Sequence, residues 1–195
     1  MTIEPNIIKT SIKGIEIQLK TLEVLFSPKS IDRGTLAMLS VLNLKEDDKV
    51  LDLGCGYGIV GIYAAKVIGA ENVVMTDIDS IAVELARENA ALNGVSQIKV
   101  VQGDAYESIE DNDFTVILTN PPYHTDFSVA KKFIEKGFNR LRIGGKMYMV
   151  TKRKEWYKNK LISIFGGVKI YVIDNYYVFE AEKRQSSYSK KGVKK

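Results

Sequence analysis

Asn120-Pro121-Pro122-Tyr123 is the stretch of this 195-residue chain with the clearest chemical meaning. It follows an apolar run, residues 115–119, that reads as a buried strand. Two prolines abutting a strand hold the backbone extended and rigid. The carbonyls of Asn120 and Pro121 are then aimed at no entropic cost on binding, Asn120 adds a side-chain acceptor, and Tyr123 adds a flat ring. Together these residues, with Pro122, suit a planar amino group on an aromatic ring or amide. Such a nitrogen is a poor nucleophile because its lone pair is delocalised. Two acceptors on its hydrogens oppose that delocalisation and turn the lone pair toward an electrophile, such as a methyl group on a sulfonium cation. No strong base is required, because the nitrogen becomes acidic only after alkylation. His124, the single histidine, adjoins this motif and is placed to touch a phosphate or a base edge.

A second motif runs from Asp52 to Gly61, Asp-Leu-Gly-Cys-Gly-Tyr-Gly-Ile-Val-Gly, at the end of a short apolar strand. Residues 56–61 formally match the dinucleotide fingerprint G-x-G-x-x-G. Asp52 opposes that reading: a carboxylate there would repel a pyrophosphate and instead suits a cationic ligand group. Asp77 ends the next strand, 19 residues after Gly58, where an acid accepts both ribose hydroxyls of an adenosine. Ile78 can lie against the adenine face. Asp79 competes with Asp77, but its position reads as a helix N-cap. Asp104, after the third strand, can accept from an adenine amino group. Cys55 lies in the glycine loop as a small packing residue with no activating partner near it in sequence.

These motifs need strands to carry them, and the chain supplies a regular alternation. Residues 7–21 read as a hairpin around Lys13-Gly14, and residues 31–43 as a helix. Strands follow at 50–53, 73–76, 98–101, 115–119 and 146–150, interleaved with helices at 59–68, 81–93, 126–142 and 156–165. Gly144-Gly145 is the expected stop of the 126–142 helix. Residues 170–173 and 177–181 read as a closing hairpin around Asp174-Asn175. The fold class is α/β, a Rossmann-like, seven-stranded, mostly parallel sheet with helices on both faces, plus the N-terminal hairpin. The expected units are a hairpin extension over 1–21, one domain over 22–181, and a basic, disordered tail over 182–195.

Hydrophobic residues make up 45% and charged residues 27%, a globular composition. No stretch reaches the about 18 apolar residues of a membrane span, and the first ten residues do not read as a signal peptide. The expectation is a soluble, cytoplasmic protein. One cysteine and one histidine exclude an internal disulfide and the usual Cys or His metal sets within these residues. The charge is unevenly spread. Residues 1–120 hold 10 Lys/Arg and 18 Asp/Glu, net −8, whereas residues 121–195 hold 18 and 6, net +12. Residues 121–181 alone hold 12 against 5, so the basic character is not confined to the tail. A polyanionic partner follows, nucleic acid above all. Lys152, Arg153 and Lys154, after the fifth strand, are candidate phosphate contacts, as are the pairs Lys131-Lys132 and Lys190-Lys191. Tyr171, Tyr176, Tyr177 and Phe179 are candidates either for stacking on bases or for packing the closing hairpin.

Residues 50–58 (VLDLGCGYG), 76–79 (TDID), 103–105 (GDA) and 120–123 (NPPY) together resemble the successive motifs of class I S-adenosylmethionine-dependent methyltransferases, over roughly residues 22–181. Leu25-Phe26-Ser27-Pro28, Asp32-Arg33-Gly34-Thr35 and residues 120–124 resemble, more narrowly, the "methyltransferase small" domain found in ribosomal RNA guanine-N2 methyltransferases. The resemblance implies S-adenosyl-L-methionine as cofactor, with Gly54, Gly56 and Gly58 beneath it and Asp52 near its methionine amino group. Asp77 would hold the ribose and Asp104 with Ala105 the adenine, while Asn120 to Tyr123 would hold the target amine. Phe26, Ser27, Gly34 and Thr35 would close the pocket from the N-terminal side. The implied activity is methyl transfer to an exocyclic amine of an RNA base, guanine N2 of rRNA or tRNA foremost. Tyr123 stands where several guanine-N2 enzymes have Phe, which keeps adenine N6 and protein glutamine open as targets. A catalytically silent RNA-binding scaffold is the reading from another class. Bacterial rRNA enzymes of this kind often carry a second, degenerate domain. Here recognition would fall to the hairpin, the basic half or a second subunit, and a homodimer is one arrangement that fits.

Overall fold

The computed structural model describes residues 6–25, 27–122 and 127–189. Strands β3 (Val50–Leu53), β4 (Val73–Asp77) and β6 (Phe114–Thr119) are short apolar runs, buried almost throughout. Strands without polar alternation need cover on both faces, and a parallel sheet supplies it. They join β5 (Lys99–Gln102), β7 (Leu141–Thr151), β8 (Lys169–Ile173) and β9 (Tyr176–Glu182) in one seven-stranded sheet of order β5-β4-β3-β6-β7-β9-β8. Strands β3 to β7 run parallel; β9 is antiparallel to both β7 and β8.

Helices α1 (Arg33–Val41), α2 (Ile59–Ile68) and α3 (Ser80–Leu92) share one apolar cluster on one face of the sheet. Helices α4 (Phe127–Arg140) and α5 (Glu155–Phe165) share the cluster on the other. The hairpin, β1 (Asn6–Ile12) and β2 (Ile15–Thr21), is a separate two-stranded sheet. Its turn residues Lys13 and Gly14 have φ of 49° and 80°, as a tight hairpin turn of the right twist requires. Asn89 on α3 and Asn93, its C-cap residue one turn on, hold β2 as a neighbouring strand would. Asn89 Oδ1 accepts from Lys20 N–H (2.8 Å) and its Nδ2 donates to Lys20 O (2.9 Å); Asn93 pairs Gln18 in the same way.

The chain folds outward from β3 through β4 to β5, then returns across β3 to lay down β6. The sheet therefore switches winding direction between β3 and β6, and a crevice opens beyond their C-terminal ends. Thr119 Oγ1 donates to Leu53 O (2.8 Å) and locks those two ends together. The glycine loop leaves one, Asn120 the other.

Two expectations differ from the structure. Helix α4 ends at Arg140 and β7 begins at Leu141, so Gly144-Gly145 lies inside a strand rather than at a helix stop. The register of β7 against β6 shifts between Phe114 and Val116, and Gly145 sits where a Cβ would come within 2.9 Å of the Phe114 carbonyl. The glycine pair thus marks a bulge under a close backbone crossing. The segment after β9 does not break away at residue 182. Lys183 N–H donates to Gly145 O (2.9 Å), Tyr188 packs edge-on against Phe138 (5.1 Å), and Ser189 N–H donates to Ile164 O (3.0 Å). Compositional bias hid these contacts, which two backbone amides and one side chain make. Lys190-Lys191 lies outside the described residues.

Candidate active site

The crevice widens into a cavity of about 490 Å³, within the usual range for small-ligand sites. Its floor is the loop between β3 and α2. Gly54, Gly56 and Gly58 have φ of 73°, 53° and 95°, the left-handed region. The loop is tied to β4 by Gly54 and Cys55 N–H groups, both donating to Thr76 O at 2.9 Å. At Gly56 a Cβ would meet nothing within 4 Å, so backbone is exposed to whatever fills the cavity. Gly61 is needed for a different reason: a Cβ there would run into the Met75 side chain, and its N–H donates to Asp52 Oδ2 (2.8 Å).

Asp52 lines the cavity and is almost completely buried. Burial pushes its carboxyl up to about 7, partly offset by the Gly61 N–H, with the charge of Asp77 adding to the rise. Asp77 is held rigidly: Oδ2 accepts from Gly56 N–H (2.8 Å) and Oδ1 from Asp79 N–H (3.0 Å). Asp79 caps α3, its Oδ1 accepting from Ile81 N–H (2.9 Å). Ile78, two-thirds exposed, walls the cavity beside Asp77. Asp104 and Ala105 line it further along, with Ala105 at φ 58° and Asp104 paired to Lys132 Nζ (2.7 Å).

Asn120 stands opposite the glycine loop. Its Nδ2 donates to Asp32 Oδ2 (2.9 Å) and to Thr35 Oγ1 (3.1 Å). A carboxylate only accepts, so the amide orientation is decided chemically: nitrogen toward Asp32, Oδ1 turned away from it. Asp32 also caps α1, its Oδ2 accepting from Thr35 N–H (2.8 Å). Pro121 and Pro122 continue the cavity wall. Tyr123, His124 and Phe26 lie outside the described residues.

Of the expected cofactor residues, Asp52, Gly54, Gly56, Asp77, Ile78, Asp104, Ala105, Asn120 and Thr35 all line this one cavity. Gly58 is set back from it as the N-cap of α2. Ser27 turns its hydroxyl to Ser30 O (2.6 Å), and Gly34 packs under the Tyr176 ring. Asp32, Tyr57, Val129 and Phe133 also line the cavity and were not expected there. The Asp-x-x-Thr cap signal at Asp32 was visible but says nothing about a residue 88 positions away. Val129 sits on the rim of an α4 face that reads simply as core, and Phe133 on that face. Cys55 is buried and its thiol is pushed well up by burial, with Asp52 and Asp77 adding, so it is no nucleophile.

Residues 16–180 match the methyltransferase small domain. The chain belongs to that family. Among relatives of this methyltransferase small domain, the uncharacterized Bacillus subtilis protein YbxB is 31% identical over 81% of this chain and 82% of its own length. Ribosomal RNA small subunit methyltransferase C of Hamiltonella defensa is 33% identical over 80% of this chain and 47% of its own. The solved structure of the T. thermophilus 16S rRNA N2 G1207 methyltransferase RsmC, in complex with AdoMet and guanosine, superposes with a TM-score of 0.79 at 28% identity, covering 93% of this chain and 51% of that one. This methyltransferase small domain therefore spans about half the length of the methyltransferase C relatives it matches.

The family's cofactor is S-adenosylmethionine, and the residues present fit it. A bare glycine backbone lies under the cavity, and a pre-set carboxylate at Asp77 stands at the end of β4, where a ribose sits in such folds. Ile78, Ala105 and Phe133 supply apolar walls for an adenine, and the buried acid at Asp52 suits a cationic group. Among the described residues no cluster of metal-binding side chains is present and no helix is long and apolar enough to cross a membrane.

Proposed function

We propose that this domain transfers a methyl group from S-adenosylmethionine to the exocyclic amino group of an RNA base, most specifically N2 of a guanine in ribosomal RNA. The observation that carries the reading is the orientation of Asn120. Asp32 and Thr35 hold its nitrogen, which commits its carbonyl oxygen to act as an acceptor at the edge of the cofactor cavity. A cation or a carboxylate at that place would serve other chemistry. An amide acceptor beside two prolines serves an amine.

When bound, S-adenosylmethionine supplies an electrophilic methyl group on a sulfonium centre. The work of the protein is positioning. Asn120 Oδ1 and the Pro121 carbonyl accept from the two amine hydrogens, which localises the nitrogen lone pair. Tyr123, which follows Pro122 in the sequence, offers an aromatic ring suited to stacking on the base. The rigid Asn-Pro-Pro backbone keeps these acceptors in place without reorganisation, the condition under which hydrogen bonds count most in catalysis. The nitrogen sheds its proton only once it carries the new methyl, so water suffices as the acceptor. Consistent with this, the titratable side chains at the cavity have other tasks. Asp77 receives two backbone amides, and Tyr57 is pushed up to about 12 by burial, with Asp32 adding.

The choice of RNA rests on the basic second half and on the relatives that methylate ribosomal RNA, and the choice of guanine N2 on the likeness to RsmC bound to guanosine. The test is transfer of labelled methyl into undermethylated total RNA and, in parallel, into cell protein, followed by digestion to nucleosides. Label in N2-methylguanosine is the expected result. Label in N6-methyladenosine would keep the chemistry and change the base, and label only in protein would overturn the RNA reading. Cofactor binding without transfer to either would favour a scaffold.

A further inference from the structure

We propose that Lys152, Arg153 and Lys154 form a clasp for the phosphates of the strand whose base enters the cavity; this rests on the RNA reading above. The three follow β7 directly. Met149 is paired with Thr119, so the end of β7 lies beside the end of β6, where Asn120 begins. All three side chains are exposed, and each lies over a different aromatic ring. Lys152 Nζ is 5.0 Å from the centroid of Tyr176, Arg153 Cζ 5.3 Å from Phe127, and Lys154 Nζ 5.6 Å from Tyr177.

Two of those rings, Tyr176 and Phe127, adjoin residues of the site. Tyr176 packs on Gly34 so closely that a Cβ there would come within 2.8 Å of the ring, and Gly34 stands between Asp32 and Thr35, which hold Asn120. On the other side Phe127 stacks on Trp156 (4.3 Å) at the start of α4, the helix that sends Phe133 into the cavity. The turn itself is fixed, because Arg153 N–H donates to the buried Thr151 Oγ1 (3.1 Å).

Three neighbouring cations are neutralised by carboxylates and, among the described residues, the three of the clasp are not. Lys132, Lys136 and Lys160 on α4 and α5 are each tied to Asp104, Glu107 or Glu135. Among the described residues none of Lys152, Arg153 and Lys154 is paired with a carboxylate. A ring face holds an exposed cation only weakly. It limits where the charge wanders yet leaves every N–H donor available. A phosphate takes up such donors in charge-assisted bonds that are stronger than the ring contact.

The test compares wild type with K152Q/R153Q/K154Q, and with K45Q/K66Q/R87Q, which removes the same charge from exposed side chains outside the hairpin and the basic half. For transfer to RNA at about 0.1 M salt the clasp variant should raise KM for RNA at least tenfold. Its kcat and S-adenosylmethionine Kd should stay within about twofold, and the distant triple should match wild type. At about 0.7 counterions per phosphate on a single strand, the salt slope should fall by about two. R153K alone should keep most of the affinity. Equal KM and equal slope in wild type and clasp variant would overturn the proposal, as would an equal loss in both triples. If wild type methylates no RNA, anisotropy of a fluorescein-labelled single-stranded RNA decides separately. Binding lost only in the clasp variant would keep the clasp and discard the reaction, while equal binding, or none by wild type, would discard the clasp.

Discussion

Asp32 ties two motifs that lie 88 residues apart. One carboxylate oxygen accepts both from the first turn of α1, at Thr35, and from the side chain of Asn120. Removing it takes away a helix cap, about 1 kcal/mol, and lets the Asn120 amide rotate. D32A should therefore lower kcat tenfold or more and Tm by a few degrees. D32N, which keeps an acceptor oxygen, should recover most of both; steady-state kinetics and a thermal melt check this. Asp52 carries the pH dependence. Its folded-state value, about 7, lies above the ordinary carboxylate value of 3.8. The protonated form is thus favoured by folding, and its contribution to stability is complete below about pH 4 and lost as pH rises through about 7. A cationic ligand group beside it reverses the preference. S-adenosylmethionine affinity should rise with pH, at most tenfold per unit, and level off above about pH 7, whereas D52N should give a flat profile by calorimetry. Asp52, Asp77 and Asn120 were legible in sequence because each is the acid or amide at the end of a strand-like run. Asp32 was only half legible, since its cap is local but its bond to Asn120 exists only once the sheet has formed.

At the scale of elements, the strand and helix order could be read almost whole, because buried parallel strands and amphipathic helices leave different periods. What failed was Gly144-Gly145. Helix stop and strand bulge both call for glycine, and only the crossing under the Phe114 carbonyl tells them apart. The place of the hairpin was hidden too, for it rests on two asparagine side chains rather than on apolar alternation. Asn89 is fully buried and serves β2 and the glycine loop together, since its Nδ2 also donates to Tyr57 O (2.9 Å). N89A would strand the Lys20 N–H and C=O and the Tyr57 carbonyl, at a cost of about 2–4 kcal/mol in all. The expected outcome is a Tm lower by roughly 4–16 °C, at about 2–4 °C per kcal/mol for a domain of this size. Weaker cofactor binding should accompany it, because the loop loses a fixed point. A melt followed by circular dichroism, with and without S-adenosylmethionine, separates the two effects.

For the molecule as a whole, charge and structure divide alike. The acidic first half supplies the loops after β3, β4 and β5 that line the crevice, while the basic second half supplies β7 and α5, between which the proposed phosphate contacts lie. The last described residues belong to the folded body. Tyr188 donates to Glu135 O (3.0 Å) and packs on Phe138, at the end of α4 away from the cavity. Y188A should lose an aromatic pair and a hydrogen bond, about 1–2 kcal/mol, and lower Tm by roughly 2–8 °C with kcat unchanged. The decisive comparison is N120A against wild type, with single-turnover transfer to RNA and S-adenosylmethionine Kd measured on the same preparations. The expected result is a rate lower by about 10²–10³ with Kd within about twofold. Rate and Kd falling together, or a rate unchanged, would contradict the assignment of Asn120 as the acceptor that presents the target amine.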